Sequence, residues 1–285
     1  MLLVAKRQGP TSHDVVDVVR RALDETRIGH LGTLDPFAQG LLVLVVGRAT
    51  RLAQFASTWI KAYEGVIRLG TQTTTDDITG ALVATSEAWR TLSTTDVTAA
   101  LAEFEGEYAQ RPPAYSAVKV AGERAYRRAR RGEEVTLAPR TVEIHSLVIE
   151  ALALPDVRFR ATVTAGTYLR SLARDIGERL GCGAHLAALT RTAVGGFRLA
   201  DAVAPERVTW DALRSPATLV SGLPRRELDD AERTAVLHGR PVAAHGEGEA
   251  EEAGEPVALF AGDDLVAVAE RAGDVLKPRV VVAEP

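Results

Sequence analysis

The chain has 285 residues, 46% hydrophobic and 25% charged, with a formal net charge of −4 from 34 Lys and Arg against 38 Asp and Glu. This is the balance of a globular protein able to bury a sizeable core, as one large domain or two unequal ones. The single cysteine, Cys182, excludes an internal disulfide and a multi-cysteine zinc cluster and suits a reducing cytoplasm. The apolar opening Met1–Ala5 meets Lys6 and Arg7 too early for a signal-peptide core, and no run approaches about 18 apolar residues, so no leader and no membrane span are expected.

Pro10, then Thr11 and Asp14 at capping-box spacing, then Val15, Val19, Ala22 and Leu23 at helical intervals predict a helix over 11–26. The segment Gly29–Gly40 reads as a glycine-rich loop that carries Asp35. It runs into Leu41–Val46, an unbroken apolar stretch between glycines, which is the pattern of a strand buried on both faces. Residues 62–69 alternate, with Tyr63, Gly65, Ile67 and Leu69 on one side. The Thr- and Asp-rich stretch 71–80 reads as a polar loop, 96–105 as a helix, 113–120 as extended and 123–131 as a helix. Residues 142–150 and 157–164 pair as a hairpin across Pro155-Asp156, and Leu169, Leu172, Ala173, Ile176 and Leu180 mark a helix over 168–180 with Arg170 in its first turn.

Composition shifts near Arg225–Asp230. Beyond it, short β-rich pieces at 257–260, 265–269 and 279–282 suggest a small β domain of about sixty residues, which docking on the larger part would help to stabilise. The expected division is therefore 1–225 and 226–285. The acidic stretch Gly246–Glu255 is expected to be a surface loop within the smaller part. It also masks a basic run, Arg124, Arg127, Arg128, Arg130 and Arg131, in the net charge. That run is either a solvated helix face or a nucleic-acid contact.

Gly-His-x-Gly-x-x-Asp-Pro, spanning Gly29 to Pro36, places a carboxylate in a stiff loop: the glycines allow close backbone approach and Pro36 restrains the chain after Asp35. A structural Asx turn would use the same residues. For a lone Asp-Pro step the plain turn is the commoner reading, and His30 in that loop, the isolated Tyr63 on the next core strand and Arg170 at a helix start weigh against it.

These residues fall within motifs. Lys6-Arg7-Gln8-Gly9-Pro10-Thr11-Ser12, Gly29–Gly40, Lys61-Ala62-Tyr63-Glu64-Gly65, Arg111–Lys119 with Gly122 and Tyr126, and Gly166-Thr167-Tyr168-Leu169-Arg170-Ser171-Leu172 with Gly181–His185 occur in this order. In content and spacing they resemble the TruB family of tRNA pseudouridine synthases over residues from about 5 to 200, and the tail resembles a shortened RNA-binding PUA-like module. The resemblance implies an α+β fold with a central mixed, mainly antiparallel sheet flanked by helices, plus a small C-terminal PUA-like β domain. It also implies isomerisation of uridine 55 in the T loop of tRNA, without cofactor or metal, by a monomer that needs no protein partner.

Among site residues, the resemblance implies Asp35 as the catalytic carboxylate, Arg170 as its charge partner and Tyr63 against the flipped base. Tyr168 and Leu189 would contact the extruded nucleotide, with Leu189 as an apolar wall. His30 would fill the space that the base vacates, and Lys6 and the arginine run would contact phosphates. Asp35 either attacks C1′ or removes the C2′ proton. Two positions depart from the family pattern: Arg7 replaces a proline and Gln39 a threonine, which puts the local loop conformation in question. Two rival functions share the residues: a guide-RNA-dependent synthase working with partner proteins, and a noncatalytic tRNA-binding or folding protein.

Overall fold

The apolar opening of the chain forms a strand. In a computed structural model that describes residues 1–116, 118–120, 122–244 and 254–283, β1 (Leu2–Lys6) leads into α1 (Ser12–Leu23). Thr11 and Asp14 form the anticipated capping box. The helix ends at Leu23 rather than Thr26 because Asp24 turns to a φ of 50°. β2 (Ile28–His30) and β3 (Gln39–Val46) take both ends of the segment expected to be a single loop, and residues 31–38 are left to carry Asp35.

After β3, a 3-10 segment (Gly47–Ala56) leads to β4 (Lys61–Leu69), whose alternation buries Tyr63, Gly65, Ile67 and Leu69 as its sequence requires. The stretch expected to be a polar loop is instead a hairpin, β5 (Thr71–Thr73) with β6 (Leu82–Thr85), and the turn between them folds Asp77 inward. Next come α2 (Thr94–Ala102), capped by Ser93 and Asp96, and β7 (Gly106–Gln110). The basic run holds the short pair β8 (Lys119–Val120) and β9 (Glu123–Arg124), then α3 (Ala125–Arg130).

β10 (Arg140–Ala153) and β11 (Asp156–Val163) form the expected hairpin, extended at one end, and α4 (Leu169–Arg179) follows Gly166-Thr167. The sequence pattern does not announce β12 (Ala184–Val194), which is continued by β13 (Phe197–Arg198).

The main sheet runs β1-β3-β12-β4-β11-β10-β7. Only the β12–β3 contact within that order is parallel, so the sheet is mixed and mainly antiparallel, as the resemblance implied. β14 (Arg225–Glu227), α5 (Asp230–Leu237), β15 (Val242–Ala243), β16 (Pro256–Ala261), β17 (Asp264–Ala272) and β18 (Val275–Val281) build the C-terminal β domain, with strand order β14-β16-β17-β18-β15. Residues 245–253, most of the acidic stretch, lie outside the described residues.

The apolar run in β3 is explained by what covers each of its faces. Leu42, Leu44 and Val46 pack with Val15, Val16, Val19 and Leu23 of α1. Leu41, Val43 and Val45 belong to a second cluster that includes Met1, Leu3 and Leu52 and reaches Ala258, Phe260, Leu265, Val268 and Val280 of the C-terminal domain. The strand that leaves the Asp35 loop is thus gripped from both sides, and the C-terminal domain supplies part of the grip. Arg48 and Arg51 reinforce that seam by donating to the carbonyls of Ala283 and Arg279 at 2.7 and 2.9 Å. Phe260→Ala is expected to cost about 3 kcal/mol or more in a denaturant melt of the whole chain. A cost below about 1 kcal/mol would mean that the C-terminal domain is only tethered.

Candidate active site

The Asp35 loop is held from beneath by two buried cations. Lys6, 2% exposed, spends its ammonium on three carbonyls: Ala38 at 2.6 Å, Arg7 at 3.0 Å and Pro36 at 3.4 Å. Burial pushes its pKa down to about 8. Arg191, 1% exposed, donates Nε to Leu41 O at 2.8 Å, Nη2 to Gly32 O at 3.0 Å and Nη1 to Thr33 O at 3.2 Å. Ser12 at the start of α1 gives to and takes from the Leu34 backbone, and Gly9 N–H reaches Pro36 O at 2.8 Å. Gly40 has φ +117°, and a side-chain carbon there would stand 2.3 Å from Arg191 O, so only glycine allows β3 to approach β12 this closely.

From the loop, Asp35 meets Arg170 in the first turn of α4. Arg170 Nε lies 2.9 Å from Asp35 Oδ2 and Nη2 donates to Oδ1 at 3.4 Å. The Nε–H is not aligned on a hydrogen-bond acceptor, so this closest approach is a charge contact rather than an in-line bond. Arg170 is itself fixed by Tyr115 O at 2.9 Å, Thr75 O at 3.0 Å and the Asp77 carboxylate at 3.6 Å. Asp77 in turn accepts from Thr75 Oγ1, Thr79 N–H and Thr79 Oγ1. One guanidinium therefore stands between two carboxylates.

Asp35 keeps 34% side-chain exposure, yet protein crowds the carboxyl on its other sides. That desolvation pushes its pKa up, Arg170 pulls it back and the Asp77 charge adds to the upward push.

The remaining expected residues converge unevenly. Tyr63 and Leu189, 7% and 8% exposed, belong to one apolar cluster with Leu34 and Phe37, the residues flanking the Asp35-Pro36 step. Tyr63 stands opposite Arg191, and Leu189 opposite Gly65, across the β4–β12 pair. Tyr168 caps α4, its backbone locked to the Gln110 amide at 2.8 and 3.1 Å. Burial pushes its phenol up, and it feels the charges of Arg170 and Asp35. His30 lies on β2 rather than in the loop, and burial followed by the Arg191 charge lowers its pKa, which keeps the ring neutral at neutral pH.

The expectation that Lys6 contacts phosphate is corrected. An ammonium has three donors, all of which point at carbonyls inside the protein. In the basic run, Arg128 and Arg131 are held by Glu133 and Arg131 also by Glu123, whereas Arg124 and Arg127 are exposed. The departures Arg7 and Gln39 are both exposed, and Gln39 donates to Thr190 Oγ1 at 3.2 Å, so neither disturbs the loop's inner contacts.

Comparisons with known proteins show the family. Residues 20–169 match the family model described as TruB family pseudouridylate synthase (N terminal domain). Residues 170–219 match the model described as tRNA pseudouridylate synthase B C-terminal domain. The chain belongs to the TruB family. A curated relative named tRNA pseudouridine synthase B, from Arthrobacter sp. (strain FB24), is 42% identical over 99% of this chain and 96% of its own length. The protein of that name from Thermobifida fusca (strain YX) is 41% identical over 99% and 98%. Among solved structures, a chain of the "Cbf5-Nop10-Gar1 Complex" is similar with a TM-score of 0.75 at 27% identity, covering 99% of this chain and 84% of that one. The TruB C-terminal model stops before β14, so the outer β domain stands on the structure and the full-length relatives.

Asp77 and Arg191 escape a reading of the sequence. Asp77 sits in a Thr- and Asp-rich stretch that looks like any solvated loop. Arg191 lies in a strand whose four alanines weaken its β signal. Among the described residues, no cluster of three or more His, Cys, Asp or Glu is placed to hold a metal. The open clefts lined by Arg27, Arg48, Arg51 and Arg279 lie on the seam with the C-terminal domain and include none of the Asp35 site.

Replacing Asp77 by Asn removes a negative charge that raises the Asp35 pKa and frees Arg170 on one side. The acid limb of the single-turnover pH–rate profile is expected to move to lower pH, with the plateau rate reduced by about tenfold or more. A limb that moves to higher pH would contradict this electrostatic arrangement.

Proposed function

We propose that this chain isomerises uridine 55 in the T loop of tRNA to pseudouridine, acting as a cytoplasmic monomer without a protein partner. The observation that carries the reading is the partly exposed Asp35 carboxylate, 2.9 Å from a buried guanidinium, in a loop with the TruB motif. No helix among the described residues is long and apolar enough to cross a membrane. The curated relatives' printed name, tRNA pseudouridine synthase B, favours tRNA over the guide-RNA arrangement.

The reaction breaks the N1–C1′ bond of uridine, turns the uracil within the pocket, forms C5–C1′ and moves the C5 proton to solvent while N1 regains one. Asp35 starts it, either by attack on C1′ or by taking the C2′ proton, and Arg170 holds its charge in both routes. A stacked uracil is out of reach, so the nucleotide is extruded at a cost of a few kcal/mol that pocket contacts offset. Tyr63 gives the base a π face and a phenol near C5, Leu189 and Tyr168 wall the nucleotide, and His30 occupies the place that the base leaves. The C-terminal domain, residues 226–285, acts as a PUA-like clamp on RNA outside the loop.

Release of tritium from C5-labelled uridine in unmodified tRNA tests this directly. The wild type is expected to release one tritium per tRNA, and Asp35→Asn to lose at least about a thousandfold in rate. Silence from the wild type would end the catalytic reading in favour of a binding or folding protein, whereas equal release by both would end the role of Asp35.

A further inference from the structure

The cations around the Asp35 loop divide into two kinds. Arg170 faces Asp35 and Asp77, Arg174 faces Asp76 and Asp175, and Lys6 lies within range of Asp35 and Asp14. Lys61 and Arg191 have no carboxylate partner among the described residues. Lys61 Nζ donates to Trp59 O at 2.8 Å, and Arg191 donates only to carbonyls. Both flank Gly32. A side-chain carbon on that glycine would lie 3.3 Å from Lys61 Cε and 3.6 Å from Arg191 Nη1. His30, the other titratable ring of this corner, is neutral and has a buried Nδ1 without a hydrogen-bond partner.

Two neighbouring positive charges removed from water without an anion cost free energy unless a ligand supplies the opposite charge. Arg191 has a carbonyl bonded to each of its three nitrogens and is fully buried. Lys61 is half-buried and has donors left, since an ammonium carries three and one is used. Lys61 also lies two residues before Tyr63 on β4, and therefore on the same face, roughly 7 Å along the strand. That distance is comparable to the span of one nucleotide.

We propose that Lys61, backed by the Arg191 charge, is a binding site for an RNA backbone phosphate beside the extruded nucleotide. The proposal rests on the function proposed above. It assigns the anion that this corner lacks to the substrate, so the corner is electrically complete only when RNA is bound. It also replaces Lys6 as the lysine that reads the backbone at the active site. In the free protein, burial and the Arg191 charge bring the Lys61 pKa down to about 8.

The test is filter binding of unmodified tRNA to the wild type, Lys61→Met and Lys61→Arg between about 50 and 200 mM salt, alongside single-turnover tritium release at saturating tRNA. For Lys61→Met, the slope of log affinity against log salt should become shallower by about 0.7 to 0.9, with affinity at low salt down roughly fivefold to tenfold. The loss in rate at saturation should be the smaller of the two, and Lys61→Arg should restore the slope. Wild-type affinity should also fall as pH rises from about 7 to about 9, as the ammonium loses its proton, and Lys61→Arg should lack that fall.

An unchanged slope and affinity in a Lys61→Met protein that melts like the wild type would overturn the phosphate site. If Lys61→Met does not fold, the pH comparison of wild type with Lys61→Arg decides, and parallel curves would overturn it. Failure of the wild type to release tritium while it shows the salt and pH behaviour would strike the reaction and leave the phosphate site standing.

Discussion

A carboxylate that is to stay an anion where protein crowds it needs a positive charge that cannot move away, and the Arg170–Asp35 contact at 2.9 Å meets that need. Everything near the site serves to keep the two ends of this contact in place. On the arginine side, α4 carries Arg170 and Arg174 one turn apart, so that both grip the turn of the β5–β6 hairpin, one through Thr75 O and Asp77, the other through Asp76. The same helix ties down the chain leading into the basic run: Arg174 and Ser171 both donate to Arg111 O, and Arg170 donates to Tyr115 O. A segment expected to meet RNA is therefore anchored on the arginine that holds the Asp35 carboxylate.

On the carboxylate side, the loop is fixed by its backbone. Lys6 holds residues 36 and 38, Ser12 holds 34, and Arg191 holds 32, 33 and 41, so successive carbonyls on both flanks of Asp35 are bonded to groups from β1, α1 and β12. Carbonyl dipoles satisfy the donors of these cations without adding a second full negative charge beside Asp35. This differs from the Arg170 corner, where two carboxylates share one guanidinium and the charge of Asp77 opposes ionisation of Asp35. Charge that stabilises the anion and charge that raises its pKa thus come from different elements.

The overall charge of −4 gives no hint of an RNA-binding surface. Within the fold, Arg128 and Arg131 of the basic run are balanced locally by Glu123 and Glu133. Lys61 and Arg191, which have no carboxylate partner among the described residues, stand instead beside the Asp35 loop. The C-terminal domain is more than an appendage, because its Phe260, Leu265 and Val280 complete the apolar cover of β3, the strand into which the Asp35 loop runs.

By itself the sequence determined the elements whose signals are local. The Thr11–Asp14 capping box, the alternation around Tyr63, the hairpin across Pro155 and the helix beginning after Thr167 all follow from spacing and turn chemistry, and the motifs around Asp35, Tyr63 and Arg170 name the family. What the tertiary structure decided are the long-range relations. β12 enters the sheet between β3 and β4 although its many alanines weaken its strand signal, because its backbone pairs with neighbours more than a hundred residues earlier. Asp77 becomes part of the site only once its hairpin turn meets α4, and Lys6 turns inward only once β1 lies beside β3. A charged side chain written in a sequence carries no mark of whether water or a carbonyl will solvate it, and that is settled only when distant segments meet.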